Sequence, residues 1–423
     1  MQKHDEAYKA YVQILKEELV PAMGCTEPIA VAYCAAKAKE ALGAIPDKID
    51  IKVSGNILKN VKSVVVPNTD GLTGVEASAA AGIIGGEPEK ELEVIARITP
   101  RQKTRIKEYL KEASFSVAPT YGEELLEIIV KLEKDGHTAT AHIKKGHANI
   151  VCIEKDGNVL MQKNESAETS QNADRSLLNI KDIVAFANIA DLEDIRGPLQ
   201  RQIECNSAIS DAGLTEDWGA CIGKTLNETQ GAFLRTKAKA AAAGGADARM
   251  SGCELPVIIL SGSGNQGITA SMPVIVYARE LGKTEEELYR ALCVSNLVAI
   301  HEKTGIGKMS AFCGAMCAGS GAGAGIAYMQ GADLQTISET IITSLGIVSG
   351  MVCDGAKPSC AAKIASAVDC GILGYELSQS GRRLKGGDGI LSDDVEKTIR
   401  NIGRMGKEGM AETDHVIQTI MTE

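Results

Sequence analysis

NESAETSQNADRS, residues 164–176, is the stretch on which the fold turns. It holds no branched aliphatic and no aromatic residue, so it offers a core nothing and reads as a polar linker. N-terminal to it, from Lys48 to about Gln162, the chain breaks into short β-type runs: IDIKV (49–53), VKSVVVP (61–67), EVIARIT (93–99), EIIVKL (127–132), TATAHI (138–143), NIVCIE (149–154) and NVLMQ (158–162). Gly, Asp, Asn and Pro turns separate them. One helical segment, GVEASAAAGIIGG (74–86), interrupts the runs and ends on glycines, as helices often do. C-terminal to the linker, from about Leu177, helical periodicity dominates, and the Ala- and Gly-rich segments permit close helix packing. Residues 1 to about 45 read as two helices broken at VPAMGCTEP (20–28) and are expected to join the helical part. The predicted fold class is multidomain α and β: N-terminal helices at 1–45, a smaller α+β domain at 46–165, and a mostly all-α domain at 166–423.

The 423 residues suffice for two or three domains with real cores, and 44% hydrophobic with 24% charged content is ordinary for a globular chain. Aromatics make up only 3%, so packing must come from Ala, Gly, Ile, Leu and Val. A formal charge of -10, without a basic stripe interleaved with aromatics, argues against nucleic acid as a partner. MQKHDEAYKAYVQILKEEL (1–19) reads as a charged amphipathic helix rather than a signal peptide, which leads to an expected cytoplasmic location. The uncharged run from Met309 to Ala332 is too rich in glycine for a membrane span and reads as a buried, closely packed helix. No membrane partner is expected. In a reducing compartment the twelve cysteines are packing residues, metal ligands or reactive thiols rather than a disulfide framework.

Three of them stand in glycine-rich, nearly uncharged sequence: Cys313 in SAFCGAMCAGS (310–320), Cys353 and Cys360 in SGMVCDGAKPSC (349–360). Soft, deprotonated sulfur suits iron, and small neighbours let the backbone approach a bulky inorganic cluster, so the trio reads as an iron–sulfur site. Three ligands leave one iron open to act as a Lewis acid. Cys317 lies one helical turn beyond Cys313, and spacing alone does not choose between them.

GCTEP (24–28) puts Cys25 at or just before a helix N-terminus, where the macrodipole and free N–H groups favour a thiolate able to accept a proton. The competing reading has Thr26 capping the helix and Cys25 merely packing. VIILSGSGNQGITASMPV (257–274) contains G-x-G-x-x-G, but no surrounding βαβ unit supports a dinucleotide; the loop, with Ser263 and Asn265, suits a substrate carboxylate. HEKTGIGKMSAFCG (301–314) brings His301, Lys303 and Lys308 shortly before Cys313, and KKGHANIV (144–151) carries His147. Either histidine is a candidate substrate contact, or a surface or core residue. Glu27 and Glu76 are candidates to orient a substrate ammonium.

Together these segments resemble the L-cysteine desulfidase family and its close uncharacterised relatives, which are related to the iron–sulfur L-serine dehydratases, over nearly the whole chain. GCTEPIAVAYCAAKAKEAL (24–42) is similar to the dehydratases' substrate-loop segment, and LTGVEASAAAGIIGGEPEK (72–90) to a Gly-His-Gly-Thr-Asp helix, with Glu76 at the acidic position. KKGHANIVCIEKDGNVL (144–160) is similar to a His-Pro-Asn segment, matching His147 and Asn149. GSGNQGITASMPV (262–274) resembles the Pro-Thr-Asn-Gly-Ala-Ala-Gly loop, matching Asn265. FCGAMCAG (312–319) and MVCDGAKPSC (351–360) resemble the cluster segments. The resemblance implies a helical iron–sulfur catalytic domain, a 4Fe-4S cluster on Cys313, Cys353 and Cys360, and Cys25 as the base. It implies substrate contacts from Thr26, Glu27, Glu76, His147, Asn149, Ser263, Asn265 and His301.

The implied reaction is β-elimination of L-cysteine to hydrogen sulfide, ammonia and pyruvate by a cytoplasmic homo-oligomer, expected to be a dimer, acting on a small amino acid. Alternatives are the same chemistry on L-serine, or a non-catalytic thiol protein that binds metal or senses redox state. Where the dehydratases have Ser-Ser-His-Thr, this chain has Cys25-Thr26-Glu27, the desulfidase-like form. Dehydratases commonly end in a cysteine that reaches the cluster; this sequence ends in QTIMTE, so an iron free of any tail ligand is expected.

Overall fold

A computed structural model describes residues 1–120, 124–163, 173–307 and 309–422. Most of the 164–176 linker and Lys308 lie outside the described residues. Helix α1 (Glu6–Glu18), strand β1 (Pro21–Met23) and helix α2 (Thr26–Leu42) lead into β2 (Lys48–Val53), α3 (Gly55–Val61), α4 (Val75–Gly85) and α5 (Pro100–Glu112). Strands β3 (Ser114–Pro119), β4 (Glu127–Lys134), β5 (His137–Lys144), β6 (Ile150–Lys155) and β7 (Asn158–Gln162) follow. Then come α6 (Ile180–Ile189), α7 (Leu192–Thr215), α8 (Ile222–Gln230), α9 (Leu234–Met250), β8 (Pro256–Ile258), α10 (Gly264–Glu280) and α11 (Glu285–Ile306). The chain continues with α12 (Ala315–Met329), α13 (Leu334–Val348), α14 (Cys360–Gln379), α15 (Val395–Arg404) and α16 (Ala411–Thr422).

The larger sheet runs β3-β2-β4-β5-β6-β7, antiparallel except for the parallel pair β2–β3. Its period-2 pattern buries Ile49, Ile51, Val53, Ile128, Val130 and Leu132 on one face, as expected of strands covered on one side only. Helix α2 covers that face. It is apolar almost all round because α4 packs on its other side, with the Gly82 Cα so close to the Ala32 carbonyl that an added Cβ would stand 2.0 Å from the oxygen.

Two apolar cores result. One joins α2, α4, α5 and the sheet. The other joins α1 with the helices from α6 to α15, so of the two N-terminal helices only α1 belongs to the helical part. We propose these two cores as the domains. Between α1 and α2 the chain crosses from one to the other through β1, which pairs antiparallel with β8 of the helical part, Ala22 opposite Val257. Glycine allows the helical core to close tightly: a Cβ at Gly371 on α14 would meet the Gly319 carbonyl of α12 at 2.1 Å. Among the described residues no helix is long and apolar enough to cross a membrane.

Two expected strands are absent. VKSVVVP begins at the end of α3 and then turns; Val65 makes only an isolated bridge with Thr73, while Val66 is buried in the core of the sheet and Val64 in a small cluster with Cys25 and Met250. EVIARIT follows a 3-10 turn, Pro88–Glu93, and its Val94, Ile95 and Ile98 are buried without a partner strand. The chain has no room to extend there, because Thr99 and Pro100 already start α5 with a capping box closed by Gln102. Conversely β1, β3, β8, α3 and α5 were not anticipated.

Candidate active site

The two cores face each other across a cavity of about 120 Å³. The sheet side contributes Cys25 and Glu27 from the start of α2, Asn56, Lys59 and Asn60 from α3, and His147 from the β5–β6 turn. Opposite stand Arg249 at the end of α9, the loop Ser261–Ser263 with Asn265 and Gln266 of α10, Lys303 of α11, and the segments around Cys313, Cys353 and Cys360.

Cys25 is the N-cap residue of α2, in extended conformation and making no side-chain cap. Gly24 precedes it at φ +55°, where an added Cβ would also strike Pro67 at 2.1 Å, so this turn requires glycine. The Cys25 Sγ donates to Glu27 Oε2 at 3.0 Å. Burial first, then the Glu27 charge, push this thiol well above its usual range, with Arg249 acting weakly the other way. Desolvation beside a carboxylate thus acts against the thiolate that a helix N-terminus favours. Burial also opposes ionisation of Glu27, but His147 and the Cys25 thiol outweigh it and hold the carboxyl below the usual range. Asn60 Nδ2 donates to Glu27 Oε1 at 2.9 Å. His147 Nε2 stands 3.8 Å from the same oxygen, which is ion-pair rather than hydrogen-bond distance, and it has no hydrogen-bond partner.

Thr26 does not cap the helix. Its Oγ1 donates to the Gly262 carbonyl at 3.0 Å, locking the start of α2 to the loop before α10. That loop is contorted, with Ser261 at φ 49° and Gly262 at φ 77°. It delivers Ser263 as the N-cap of α10 without a side-chain cap, so the first N–H groups of the helix are left for a ligand. The glycine pattern is a packing device: a Cβ at Gly264 would meet Arg249 Nε at 2.3 Å, and one at Gly267 the Ile258 carbonyl at 2.0 Å.

The three cysteines come from separate elements. Cys313 precedes α12, Cys353 lies in a loop, and Cys360 opens α14. An isolated bridge between Phe312 and Val352, reinforced by Cys313 N–H to Met351 O at 3.1 Å, sets the first two segments side by side. Burial, then the neighbouring Cys353, pushes the Cys313 thiol up to about 12. Among the described residues no group of three or more His, Cys, Asp or Glu side chains is arranged to hold a single metal ion. The thiols are instead distributed around one cavity, a pattern that suits a polynuclear cluster whose cysteines reach separate irons. Cys317 is not in the lining. It faces inward along α12 toward Glu302, which is fully buried, accepts from Ser320 Oγ at 2.7 Å and is pushed well above the carboxylate range by burial.

Besides Thr26, which is turned to the Gly262 carbonyl, three expected contacts are not brought to the cavity lining. Glu76 is exposed, because α4 turns Val75, Ala77 and Ser78 into the core and leaves Glu76 on the opposite side. Asn149 closes the β5–β6 turn instead, its Nδ2 donating to the Lys144 carbonyl at 2.9 Å. His301 is paired with Glu396 at 2.8 Å. Two residues along α11 is some 200° of rotation, so it is Lys303 that enters the lining, where burial lowers its pKa.

Residues that sequence reasoning passed over are Lys59, Asn60, Arg249 and Lys363. Lys59 is buried and bonded to Asp414 of α16 at 2.6 Å. Lys363 pairs with Asp354. Arg249 is the largest fully buried side chain among the described residues, and a charged residue inside the Ala-rich run of α9 was the signal available for it. Asn60 Oδ1, His147 Nε2, Gln266 Oε1 and both Nε and Nη2 of Arg249 are buried without partners around this one cavity. Such clustering marks a place built for a polar ligand.

Comparison with known proteins agrees with this arrangement. The family model described as "Serine dehydratase alpha chain" matches residues 89–418. A UPF0597 protein of Desulfitobacterium hafniense (strain Y51) is 54% identical over 422 residues, covering 100% of this chain and 98% of the relative. A UPF0597 protein of Finegoldia magna is 50% identical over 416 residues, 98% of this chain and 100% of the relative. Another, of Lachnoclostridium phytofermentans, is 47% identical over 414 residues, 98% and 99% of the two chains. These relations support a dehydratase-type lyase function. The chain belongs to the serine dehydratase alpha chain family, within its UPF0597 branch.

Proposed function

We propose that the protein is a 4Fe-4S-dependent lyase that converts L-cysteine to hydrogen sulfide, ammonia and pyruvate. One observation carries this reading: the thiols of Cys313, Cys353 and Cys360 share a small buried cavity with the Cys25–Glu27–His147 string. Convergence of the GCTEP and GSGNQG segments on those thiols also weighs against a non-catalytic thiol protein. Cys313, Cys353 and Cys360 would hold the cluster, which would supply a Lewis-acidic iron for the departing sulfur.

The chain's own groups handle the proton and the carboxylate. As thiolate, Cys25 removes the Cα proton of the substrate and becomes the thiol, which Glu27 Oε2 holds at 3.0 Å. Asn60 and His147 hold the Glu27 carboxylate in its charged form, so that it accepts from the Cys25 thiol without taking its proton. The free N–H groups of α10 receive substrate carboxylate charge in a water-poor cavity. Loss of the Cα proton and of the Cβ sulfur as hydrosulfide leaves aminoacrylate. Its imine tautomer takes up one water to give pyruvate and ammonia.

The description of the matching family model favours a second substrate, L-serine, with hydroxide leaving. Anaerobic reconstitution with iron and sulfide, followed by pyruvate and sulfide assays on both amino acids, decides between them. Faster turnover of L-cysteine is expected. Faster turnover of L-serine selects the second reading, and pyruvate from neither overturns the lyase proposal.

A further inference from the structure

Among the described residues, the cavity holds a guanidinium that no carboxylate neutralises. Lys59 is paired with Asp414, and Lys363 with Asp354. Lys303 likewise has no carboxylate partner, but it lies by the thiols of Cys313 and Cys353, where burial lowers its pKa. His147 faces Glu27. Arg249 is 2% exposed and has no carboxylate partner; Nη1 donates to Asn265 Oδ1 at 3.0 Å, while Nη2 and Nε have no partner. A guanidinium buried this way requires an anion for its free donors, and a planar carboxylate matches its fork.

Its location narrows the choice of anion. The Asn265 bond fixes the guanidinium against the uncapped first turn of α10, so side-chain and backbone donors address one spot. Met250, the next residue, packs against Cys25 and Val64 in a small cluster joining the two cores. Arg249 and Cys25 line the same cavity and the guanidinium charge acts on the thiol, so an anion on Arg249 lies near Cys25. With about 120 Å³ available, it must belong to a small molecule.

We propose that Arg249 is the specificity-determining residue that grips the substrate's α-carboxylate and thereby sets its Cα against Cys25. The inference rests on the lyase reading of the same cavity and adds to it that the substrate must carry a free carboxylate. Thiol amines lacking one, and amino-acid amides, are rejected because they leave the guanidinium and the α10 N–H groups unpaired in a desolvated site.

The test is a binding measurement on the anaerobically reconstituted full chain, using 3-mercaptopropionate (thiol and carboxylate) and cysteamine (thiol and amine). The parent should bind 3-mercaptopropionate more tightly. Arg249→Met should weaken that ligand by about 10- to 100-fold, the size expected for hydrogen bonds to a charged group, and leave cysteamine unchanged. Arg249→Lys should recover part of the difference. Should Arg249→Met not fold, Asn265→Asp keeps the volume while offering Arg249 an internal carboxylate, and should depress 3-mercaptopropionate binding selectively. Equal loss for both probes, no loss for either, or a parent without preference for the carboxylate would overturn the proposal. Binding is read without turnover, so failure of the lyase reading, seen as no pyruvate from either amino acid, is a separate result.

Discussion

The two walls of the cavity differ in what they are made of. The helical wall presents soft sulfur and unneutralised positive charge, Cys313, Cys353, Cys360, Lys303 and Arg249, on helices packed so closely that several contacts admit only glycine. The sheet wall presents a thiol, a carboxylate and an imidazole in sequence, Cys25, Glu27 and His147, held by the amide of Asn60. A wall of thiols faces a wall that pairs a thiol with a carboxylate and an imidazole, and neither core holds both. The chemistry therefore depends on the seam between the cores, which is stitched by the β1–β8 pair, the Thr26–Gly262 bond and the Lys59–Asp414 pair.

The largest effect should come from the helical wall. Replacing Cys313, Cys353 or Cys360 singly by Ser is expected to strip iron and abolish sulfide release together, since oxygen is a harder and poorer cluster ligand. Cys317→Ser should keep both. Iron and sulfide analysis after anaerobic reconstitution reads the outcome, and full iron retention in one of the three variants removes that residue from the ligand set.

Next in size is the sheet wall, where the opposite signature is expected. Cys25→Ser should retain iron yet lose turnover by about 10²- to 10⁴-fold, because a serine hydroxyl is too weak an acid to supply the anion. Near-parental rates with full iron would erase the distinction between the walls and move the search for the base to Lys303 and His147.

The seam itself can be broken. Lys59 and Asp414 form a buried pair at 2.6 Å, and removing one partner strands the other, so Lys59→Met should cost about 3–5 kcal/mol of stability. Adding Asp414→Leu should restore much of it. If the single variant melts as the parent does in denaturant titration, α16 is not fastened to α3 through this pair.

A smaller, pH-dependent effect is expected behind the helical wall. Asp247 on α9 is fully buried; Oδ2 accepts from the Gly223 N–H at 2.9 Å, and Oδ1 has no partner. Burial raises its pKa from 3.8 to about 6. The folded state then binds more protons than the unfolded state between those values, so stability falls as pH rises through them. Asp247→Asn should raise stability at pH 7–8 by about 1–3 kcal/mol and change it little near pH 4. A gain of the same size at both pH values would exclude this origin. The smallest effect, about 1 kcal/mol, is expected for Thr99→Ala at the cap of α5, with no change in the iron content of the helical wall.

What could be read in advance follows the range of the forces involved. Alternation in EIIVKL and TATAHI announces one-sided strands because a pleat alternates whatever it packs against. EVIARIT carries a similar apolar content, yet its flanking turn and cap leave it no partner, and pairing is not a local property. The capping box at Thr99 and Gln102 was legible and was passed over.

At the site, local motifs announce which groups are available: thiols in small-residue surroundings, a thiol and a carboxylate two residues apart in GCTEP, a turn rich in glycine before α10. Which of them meet depends on how the two cores pack. Cys313 lines the cavity while Cys317 does not, Lys303 while His301 does not, and Glu27 while Glu76 does not. Along a helix the sequence sets the angle between two side chains, but the face that looks inward is chosen by what packs there, and here that neighbour is far off in the chain. Thr26 meets Gly262 across 236 residues and Lys59 meets Asp414 across 355. The ionisation of Cys25 has the same origin: its place at a helix start is local, but the burial and the carboxylate that push its pKa up, and the guanidinium that opposes them, are brought together by two cores closing on one cavity.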